Sequence, residues 1–246
     1  MYKYTPYTHS RINAYKNCAR SFYYSKVINL PKEFKPSVAL DRGTLIHLIF
    51  EHNRDLVNIK KTRDFKKIIN RKLLDKSAIK ECFDIYDEFM ESGTAKSLFK
   101  REQMFSELSI GLDDKLELAP FDGDNTLLRG YIDAVFIDKP TDSVIVCDWK
   151  TGRYKDTQDF SQLLWYSIAL FSQIPPEVTN RIVMTYAYVE HQKQNIKILY
   201  RKDIEKYKKA LFDTIDIIEA DTIWEKNETG LCNYCQFQEY CMKDKL

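Results

Sequence analysis

Apolar residues in the first third of the chain recur at the three- and four-residue spacing of amphipathic helices. Leu45, Leu48 and Ile49 form such a stripe and predict a helix that has Asp41 as its N-cap. The charged segment 62–91 carries the same spacing twice and predicts two further helices, each covering a core with one face. We therefore expect the region before residue 93 to be helical.

Beyond residue 93 the spacing changes to the alternation that is typical of β-strands. Three successive strands are predicted, with a turn at 139–142 between the second and the third. A helix follows and ends before the Pro175-Pro176 pair, because proline cannot continue a helix. The predicted strands are 104–112, 127–137, 143–149, 182–189 and 196–200, and the predicted helices are 160–171 and 202–220.

This order of elements predicts an α/β fold in which helices flank a central mixed β-sheet. We divide the chain into a helical N-terminal region (1–92), a sheet-containing core (93–222) and a cysteine-rich tail (223–246). With 246 residues the chain is long enough for one large domain and a smaller appended part. Its 44% hydrophobic and 30% charged residues indicate a globular protein.

Net charge says little about the binding partner of the protein, whereas composition indicates where the protein is located. The formal net charge is only +2, so a basic surface for nucleic acid requires local segregation of lysine and arginine. The N-terminus lacks the apolar core of a signal peptide, and no apolar run approaches the roughly 20 residues of a membrane helix. We expect a soluble cytoplasmic protein with no membrane partner. In a reducing cytosol, the six cysteines favour metal binding over disulfides.

Three charged residues interrupt or end the most apolar strands. Asp133 lies in the middle of one strand, where an ionised carboxylate needs a cationic partner. Asp148 and Lys150 end the next strand, and the period of two sends both side chains to one face. Carboxylates on adjacent strands suit Mg²⁺ or Mn²⁺, and a neighbouring lysine can position a water for attack on phosphorus. Asp133 as a turn former and Asp148–Lys150 as an exposed ion pair are the alternatives, but the combined pattern favours catalysis.

The segments GYIDAVFID, VIVCDWKTG and QLLWYSIAL together resemble the nuclease motifs of the RecB-type branch of the PD-(D/E)xK superfamily. This resemblance implies a restriction-endonuclease-like core in which Asp133 and Asp148 bind a divalent metal. It also implies that the backbone carbonyl of Trp149 adds a ligand and that Lys150 serves the attacking water.

Gln162 and Tyr166 match the Gln-x-x-x-Tyr motif of the same family on the helix that follows. Their spacing of four places both side chains on one helical face. An amide and a phenol there can contact the DNA backbone or orient the catalytic lysine. The alternative is a helix face that only packs on the sheet through Tyr166.

His47 follows a Gly-Thr pair and matches the histidine that this branch carries in a helix before the sheet. The resemblance implies that His47 is an extra metal ligand, which favours Mn²⁺ because imidazole is softer than carboxylate. A buried, hydrogen-bonded core histidine is the alternative. Glu107 is a loose match to a family glutamate, with Glu102 and Glu117 as competitors.

Cysteines in the tail have the spacing CxxCxxxxxC, and a metal site with four thiolates needs one more. The context of Cys18 resembles the early cysteine of nucleases in which one early and three late cysteines bind a [4Fe–4S] cluster. These relatives include the CRISPR-associated Cas-four exonuclease family. Zn²⁺ is the alternative metal for the same four thiolates. Cys82 and Cys147 are expected to be packing residues. The predicted ligands are Cys18, Cys232, Cys235 and Cys241.

These patterns together predict a metal-dependent deoxyribonuclease, and the resemblance implies an exonuclease that acts on single-stranded DNA. Phe22, Tyr23 and Tyr24 can stack on bases, or belong to the core instead. Rival hypotheses are an accessory DNA-binding protein of CRISPR adaptation or recombination and a site-specific endonuclease. The motif GxxxxGK[ST] is absent, so unwinding would need a helicase partner.

Overall fold

The computed structural model describes residues 2–31, 37–101, 103–138 and 142–243; three residues of the predicted 139–142 turn and the competitor Glu102 therefore lie outside it. No helix among the described residues has the length and apolar character needed to cross a membrane. The first helices are α1 (His9–Asn17), α2 (Ala19–Phe22), α3 (Val38–Glu51), α4 (Leu56–Lys61), α5 (Arg63–Arg71), α6 (Lys76–Glu91) and α7 (Gly93–Phe99). They are followed by β1 (Gln103–Leu112), β2 (Leu128–Asp138), β3 (Ser143–Lys150), α8 (Ser161–Gln173), β4 (Arg181–Tyr188), β5 (Lys193–Tyr200), α9 (Ile204–Ala220) and α10 (Gln238–Lys243).

The five strands form one mixed sheet in the order β1-β2-β3-β4-β5. Strands β2 and β3 are antiparallel, as are β4 and β5, whereas β3 and β4 are parallel. A parallel pair needs a long crossover connection, and α8 provides it here. The predicted α/β fold with a mixed sheet flanked by helices is confirmed, and each predicted strand lies within two or three residues of an observed one.

Helix α3 begins earlier than predicted. The side chain of Ser37 caps it by accepting a hydrogen bond from the backbone N–H of Leu40. Asp41 is therefore not the N-cap; it lies in the first turn, is fully buried, and forms an ion pair with Arg71 of α5. The prediction was wrong because an aspartate in the first turn can serve a tertiary ion pair, which the local sequence does not reveal.

The chain divides into two compact units. The larger unit comprises 36–110 and 131–204. Its core lies between α3, α6, α7 and the sheet, where the ring of Trp149 stacks on Phe50 with centroids 4.4 Å apart. Cys82 and Cys147 are fully buried in this core, which confirms them as packing residues.

The smaller unit comprises 1–35, 111–130 and 205–246. Phe22 stacks on Trp224 with ring centroids 5.8 Å apart, and Arg20 donates from Nε to the carbonyl of Trp224. The hydroxyl of Tyr15 donates to Asp221 over 2.7 Å. Phe22 and Tyr24 are buried, so these two aromatics belong to the core and are not surfaces for base stacking. The division of the chain at residues 92 and 222 stays a prediction.

Candidate metal centre and active site

Three potential metal ligands meet in the larger unit. Ligand atoms of His47, Glu107 and Asp133 all lie within 4.8 Å of one another, and Nδ1 of His47 is 3.4 Å from Oδ2 of Asp133. The three residues come from α3, β1 and β2, so the fold assembles the group from distant parts of the sequence. We call His47, Glu107 and Asp133 the metal trio.

Glu107 has an unusual backbone conformation for a strand residue. Its φ angle is 48°, in the left-handed region that a residue with a Cβ rarely adopts. Such a conformation costs about 1–3 kcal/mol and is found mainly where the surrounding structure holds it for function. Here it occurs within β1 at the one residue that joins the metal trio.

Asp133 is held by the neighbouring strand. The regular β2–β3 ladder runs as far as the pair Ala134 and Cys147. Past this pair, the backbone N–H of Trp149 donates to Oδ2 of Asp133 over 2.8 Å. The carboxylate is therefore oriented by a main-chain donor on β3, while it still faces His47 and Glu107 of the metal trio.

Asp148 and Lys150 form a second group beside the trio. Nζ of Lys150 is 2.6 Å from Oδ2 of Asp148, which is almost completely buried. Nζ of Lys150 also donates to Oε1 of Gln162 at 3.5 Å, and Nε2 of Gln162 donates to the hydroxyl of Tyr166 at 3.4 Å. Helix α8 thus places the amide of Gln162 against the lysine and the phenol of Tyr166 against that amide, while the roles of both residues stay predictions.

An aromatic ring completes the surroundings of Lys150. Nζ lies 4.6 Å from the centroid of the Tyr186 ring, within the range of a cation–π interaction. Tyr186 is the register partner of Asp148 across the parallel β3–β4 pair. Tyr186 was not predicted from the sequence, because the whole of α8 separates β3 from β4 along the chain.

The charges of the site shift its acid–base equilibria. Burial raises the pKa of Asp148 above its usual range, and the charge of Asp133 adds to this while Lys150 opposes it. Burial and the charge of Asp133 raise the pKa of Glu107 to about 7. Burial alone would lower the pKa of His47, but the hydrogen bond and charge of Asp133, with Asp148 and Glu107, raise it to about 9. The carboxylates repel one another, and a cation among them relieves that repulsion.

The donor set fits a divalent cation. Two carboxylates are hard oxygen ligands, and one imidazole is tolerated by Mn²⁺ more readily than by Mg²⁺. The trio lines a cavity of about 480 Å³ that also contains Gly43 and Glu51. A Cβ at Gly43 would lie 3.1 Å from Oγ1 of Thr151, so glycine permits α3 to approach the end of β3 closely.

The structure brings the predicted side chains of His47, Asp133, Asp148, Lys150, Gln162 and Tyr166 into the larger unit, in the two adjacent groups described above. Asp148 is not a member of the metal trio, since its Oδ2 faces Lys150. The ring of Trp149 is buried in the core, so only its backbone can take part, and its carbonyl as a ligand stays a prediction. Glu107 joins the trio, whereas its competitor Glu117 is exposed.

Four cysteines of the smaller unit line a single cavity of about 800 Å³. Burial raises the pKa of Cys241, and the three neighbouring thiols raise it further, while Lys226 opposes them. Among the described residues, no three cysteine sulfurs lie within 4.8 Å of one another. These cysteines are Cys18, Cys232, Cys235 and Cys241, and none of the four forms a disulfide.

Comparison with known proteins identifies the family of this chain. No curated protein matches the chain. Among solved structures, the crystal structure of SSO0001 is similar, with 15% sequence identity and a TM-score of 0.36 over 81% of this chain and 83% of that one. The model of the PD-(D/E)XK nuclease superfamily matches residues 6–242, which is nearly the whole chain. The chain therefore belongs to the PD-(D/E)XK nuclease superfamily, a family of metal-dependent nucleases.

Proposed function

We propose that this protein is a deoxyribonuclease that hydrolyses phosphodiester bonds with Mg²⁺ or Mn²⁺, acting as an exonuclease on single-stranded DNA ends. The observation that carries the proposal is the position of Lys150, 2.6 Å from Asp148 and backed by Gln162, on strand β3 next to the strand that supplies Asp133 of the metal trio. A cation site and a positioned amine are the two parts that metal-assisted attack on phosphorus requires.

Each residue of the site has a role in this proposal. His47, Glu107 and Asp133 would hold the cation, and Asp148, which lies beside them on β3, would add a further carboxylate. When bound, the cation supplies Lewis acidity at the phosphate and lowers the pKa of water. The amine of Lys150 orients the attacking water and takes part in its deprotonation.

Gln162 and Tyr166 act on the lysine and not on the substrate. The amide oxygen of Gln162 accepts from Nζ of Lys150, and its amide nitrogen donates to Tyr166. This chain of contacts restricts the directions that Nζ can take, and such supporting residues fix the geometry of catalytic groups.

We further propose that the four cysteines of the smaller unit bind a structural [4Fe–4S] cluster. Their common cavity, in which none of the four forms a disulfide, supports a metal centre. Four thiolates on one zinc ion, with Zn–S bonds of about 2.3 Å, lie about 3.8 Å apart. A cubane holds its thiolates on four separate irons, so its ligand sulfurs lie farther apart than those of a zinc site.

Joining Cys18 to the C-terminal tail would stabilise the smaller unit. The cluster would close a loop of more than 200 residues, from Cys18 to Cys232, and remove chain entropy from the unfolded state. Anaerobically purified protein is expected to absorb in the blue region of the visible spectrum. A colourless protein that contains zinc would contradict the cluster and leave the nuclease proposal untouched.

Labelled DNA substrates test the mode of cleavage. With Mn²⁺, the protein is expected to degrade linear single strands progressively from an end and to leave circular single strands intact. Cleavage of circles would replace the exonuclease proposal with an endonuclease. If neither substrate is cut under conditions in which the protein binds Mn²⁺, the protein is not an independent nuclease and an accessory role replaces the proposal.

A further inference from the structure

Basic side chains extend from the active site across the sheet to its edge. Lys150 on β3 pairs in register with Tyr188 on β4, and Tyr188 pairs with Lys193 on β5. Cross-strand partners share a face of the sheet, and neighbouring strands lie about 4.8 Å apart, so the backbones of Lys150 and Lys193 are about 10 Å apart on one face. This row leads from the lysine of the site to the exposed edge strand.

The loop 151–160 follows Lys150 directly and lies along this row. The ring of Tyr154 packs edge-on against Tyr188 with centroids 5.0 Å apart, and Nζ of Lys193 lies 4.8 Å from the centre of the Tyr154 ring. Lys193 is exposed, yet its amine is held above an aromatic ring that is itself packed on the sheet. The amine therefore has a defined place next to the loop.

Hydrogen bonds fix the loop to strands β4 and β5. Nδ2 of Asn195 on β5 donates to the carbonyl of Lys155 over 2.8 Å, and the hydroxyl of Tyr188 donates to Oε1 of Gln158 over 2.8 Å. Arg153 and Lys155 project from this fixed loop and are exposed. Preorganised cations bind a ligand at a lower entropic cost than mobile ones.

The charge of this surface is not neutralised from within. Within the described part of the chain, no carboxylate forms an ion pair with Arg153, Lys155 or Lys193. The loop also carries two exposed carboxylates: Asp159 accepts hydrogen bonds from the backbone N–H and hydroxyl of Ser161 at the start of α8, and Asp156 lies next to Lys155 in the sequence. Arg153, Lys155 and Lys193 are thus exposed cations without an ion-pair partner among the described residues, and a local group of such cations beside the active site attracts an anionic ligand.

We infer that Arg153, Lys155 and Lys193 form a phosphate-binding ridge for the backbone of the substrate strand, next to the bond that is cut. The inference rests on the proposed nuclease function and extends it. The ridge contacts phosphates and carries no information about base sequence, because exposed amines and a guanidinium that bind phosphates position a strand without reading it. It fits a strand that leaves the active site past Tyr154 toward the β5 edge.

Binding of a fluorescent dT20 oligonucleotide, measured by anisotropy in EDTA as a function of salt, tests the ridge without turnover. The triple variant Arg153→Gln, Lys155→Gln, Lys193→Gln is expected to bind at least about tenfold more weakly at low salt. The slope of log K against log salt is expected to fall in magnitude by about 2, because each phosphate contact on a single strand contributes roughly 0.7. None of the three residues belongs to the metal trio or touches Asp148.

A matched triple variant controls for the loss of net charge. Lys60→Gln, Lys61→Gln and Lys76→Gln remove the same charge from α4 and α6, which contribute no side chain to the site. This variant is expected to bind dT20 nearly as well as the wild type. Equal losses in both triple variants, or an unchanged slope in the ridge variant, would overturn the inference.

A small substrate separates the ridge from the catalytic centre. Hydrolysis of bis(p-nitrophenyl) phosphate needs no extended strand, so the ridge variant is expected to retain the wild-type rate with Mn²⁺. Loss of this activity, with the melting temperature unchanged, would place the three residues in the catalytic centre and overturn the ridge. If the wild type hydrolyses neither this compound nor single-stranded DNA in Mn²⁺, the proposed nuclease function fails, while the binding measurement still decides whether the ridge exists.

Discussion

Oδ2 of Asp133 accepts a hydrogen bond of 2.8 Å from the backbone N–H of Trp149. One side chain thus serves two purposes, since the same oxygen lies 3.4 Å from Nδ1 of His47 in the metal trio. The contact ties the position of a metal ligand to the strand that carries Asp148 and Lys150. A change at Asp133 can therefore separate what the residue does for the metal from what it does for the strand.

Replacement Asp133→Asn removes the negative charge and keeps an oxygen that can accept from Trp149. We expect the melting temperature to stay close to that of the wild type, while affinity for Mn²⁺ and the rate of DNA cleavage each fall by more than about 100-fold. Titration calorimetry and a cleavage assay measure the two effects. Asp87→Asn, at an exposed position of α6, should change neither. Unaltered Mn²⁺ binding by Asp133→Asn would remove Asp133 from the metal site.

Gln162→Ala tests whether the amide orients Lys150 or contacts DNA. If it orients the lysine, kcat should fall roughly 10- to 100-fold with little change in KM, because the geometry of the reacting groups is lost and not the binding of the substrate. A large rise in KM at an unchanged kcat would contradict the orienting role and indicate a contact with the DNA backbone.

Trp224→Ala tests the aromatic packing of the smaller unit. The indole is nearly buried and stacks on Phe22, so its removal should lower the free energy of unfolding of that unit by about 3–5 kcal/mol. Chemical denaturation followed by circular dichroism measures the loss. The adjacent Ile223 is 69% exposed, and Ile223→Ala should cost far less. Similar losses in both variants would show that the stack contributes little.

Asp221 should make the stability of the protein depend on pH. Burial alone would raise its pKa, but hydrogen bonds from the backbone of Trp224, the hydroxyl of Tyr15 and the backbone of Ile223 outweigh it and lower the pKa below its usual range. A carboxylate with a lowered folded-state pKa contributes stability above its unfolded pKa of about 4, and this stability is lost as the pH falls through the folded-state value.

Asp221→Asn should accordingly be less stable than the wild type at pH 7, with a difference that shrinks as the pH is lowered toward 2. Urea denaturation at several pH values measures the difference. A constant gap between the two proteins across this range would mean that the charge of Asp221 contributes nothing to stability.

The fold class was predictable from the sequence because it follows from local periodicity, whereas the predicted role of His47 came from the resemblance to a family. The period of two placed Asp148 and Lys150 on one face, and the spacing of four did the same for Gln162 and Tyr166. What depends on non-local pairing was not predictable. Tyr186 lies beside Lys150 only because β4 pairs with β3 in one particular register.

The choice of Glu107 over its competitors shows a second limit. Three glutamates in and around β1 were candidates, and alternation along a strand cannot select one whose φ angle is 48°. Asp41 shows a third limit, because its ion pair with Arg71 joins two helices whose contact cannot be predicted from the local sequence. In each case the missing information is tertiary: a backbone conformation or a partner that only the folded chain supplies.

The most direct test of the proposed chemistry is the rate at which labelled single-stranded DNA is cleaved in Mn²⁺ by the wild type and by Lys150→Met. Methionine fills similar space without the amine, and Lys209→Met on the exposed side of α9 is the control. We predict that EDTA abolishes cleavage, that Lys150→Met is slower by about 10²- to 10⁴-fold, and that the control cleaves at the wild-type rate. Cleavage by Lys150→Met at the wild-type rate, or cleavage that persists in EDTA, would contradict the metal-dependent mechanism.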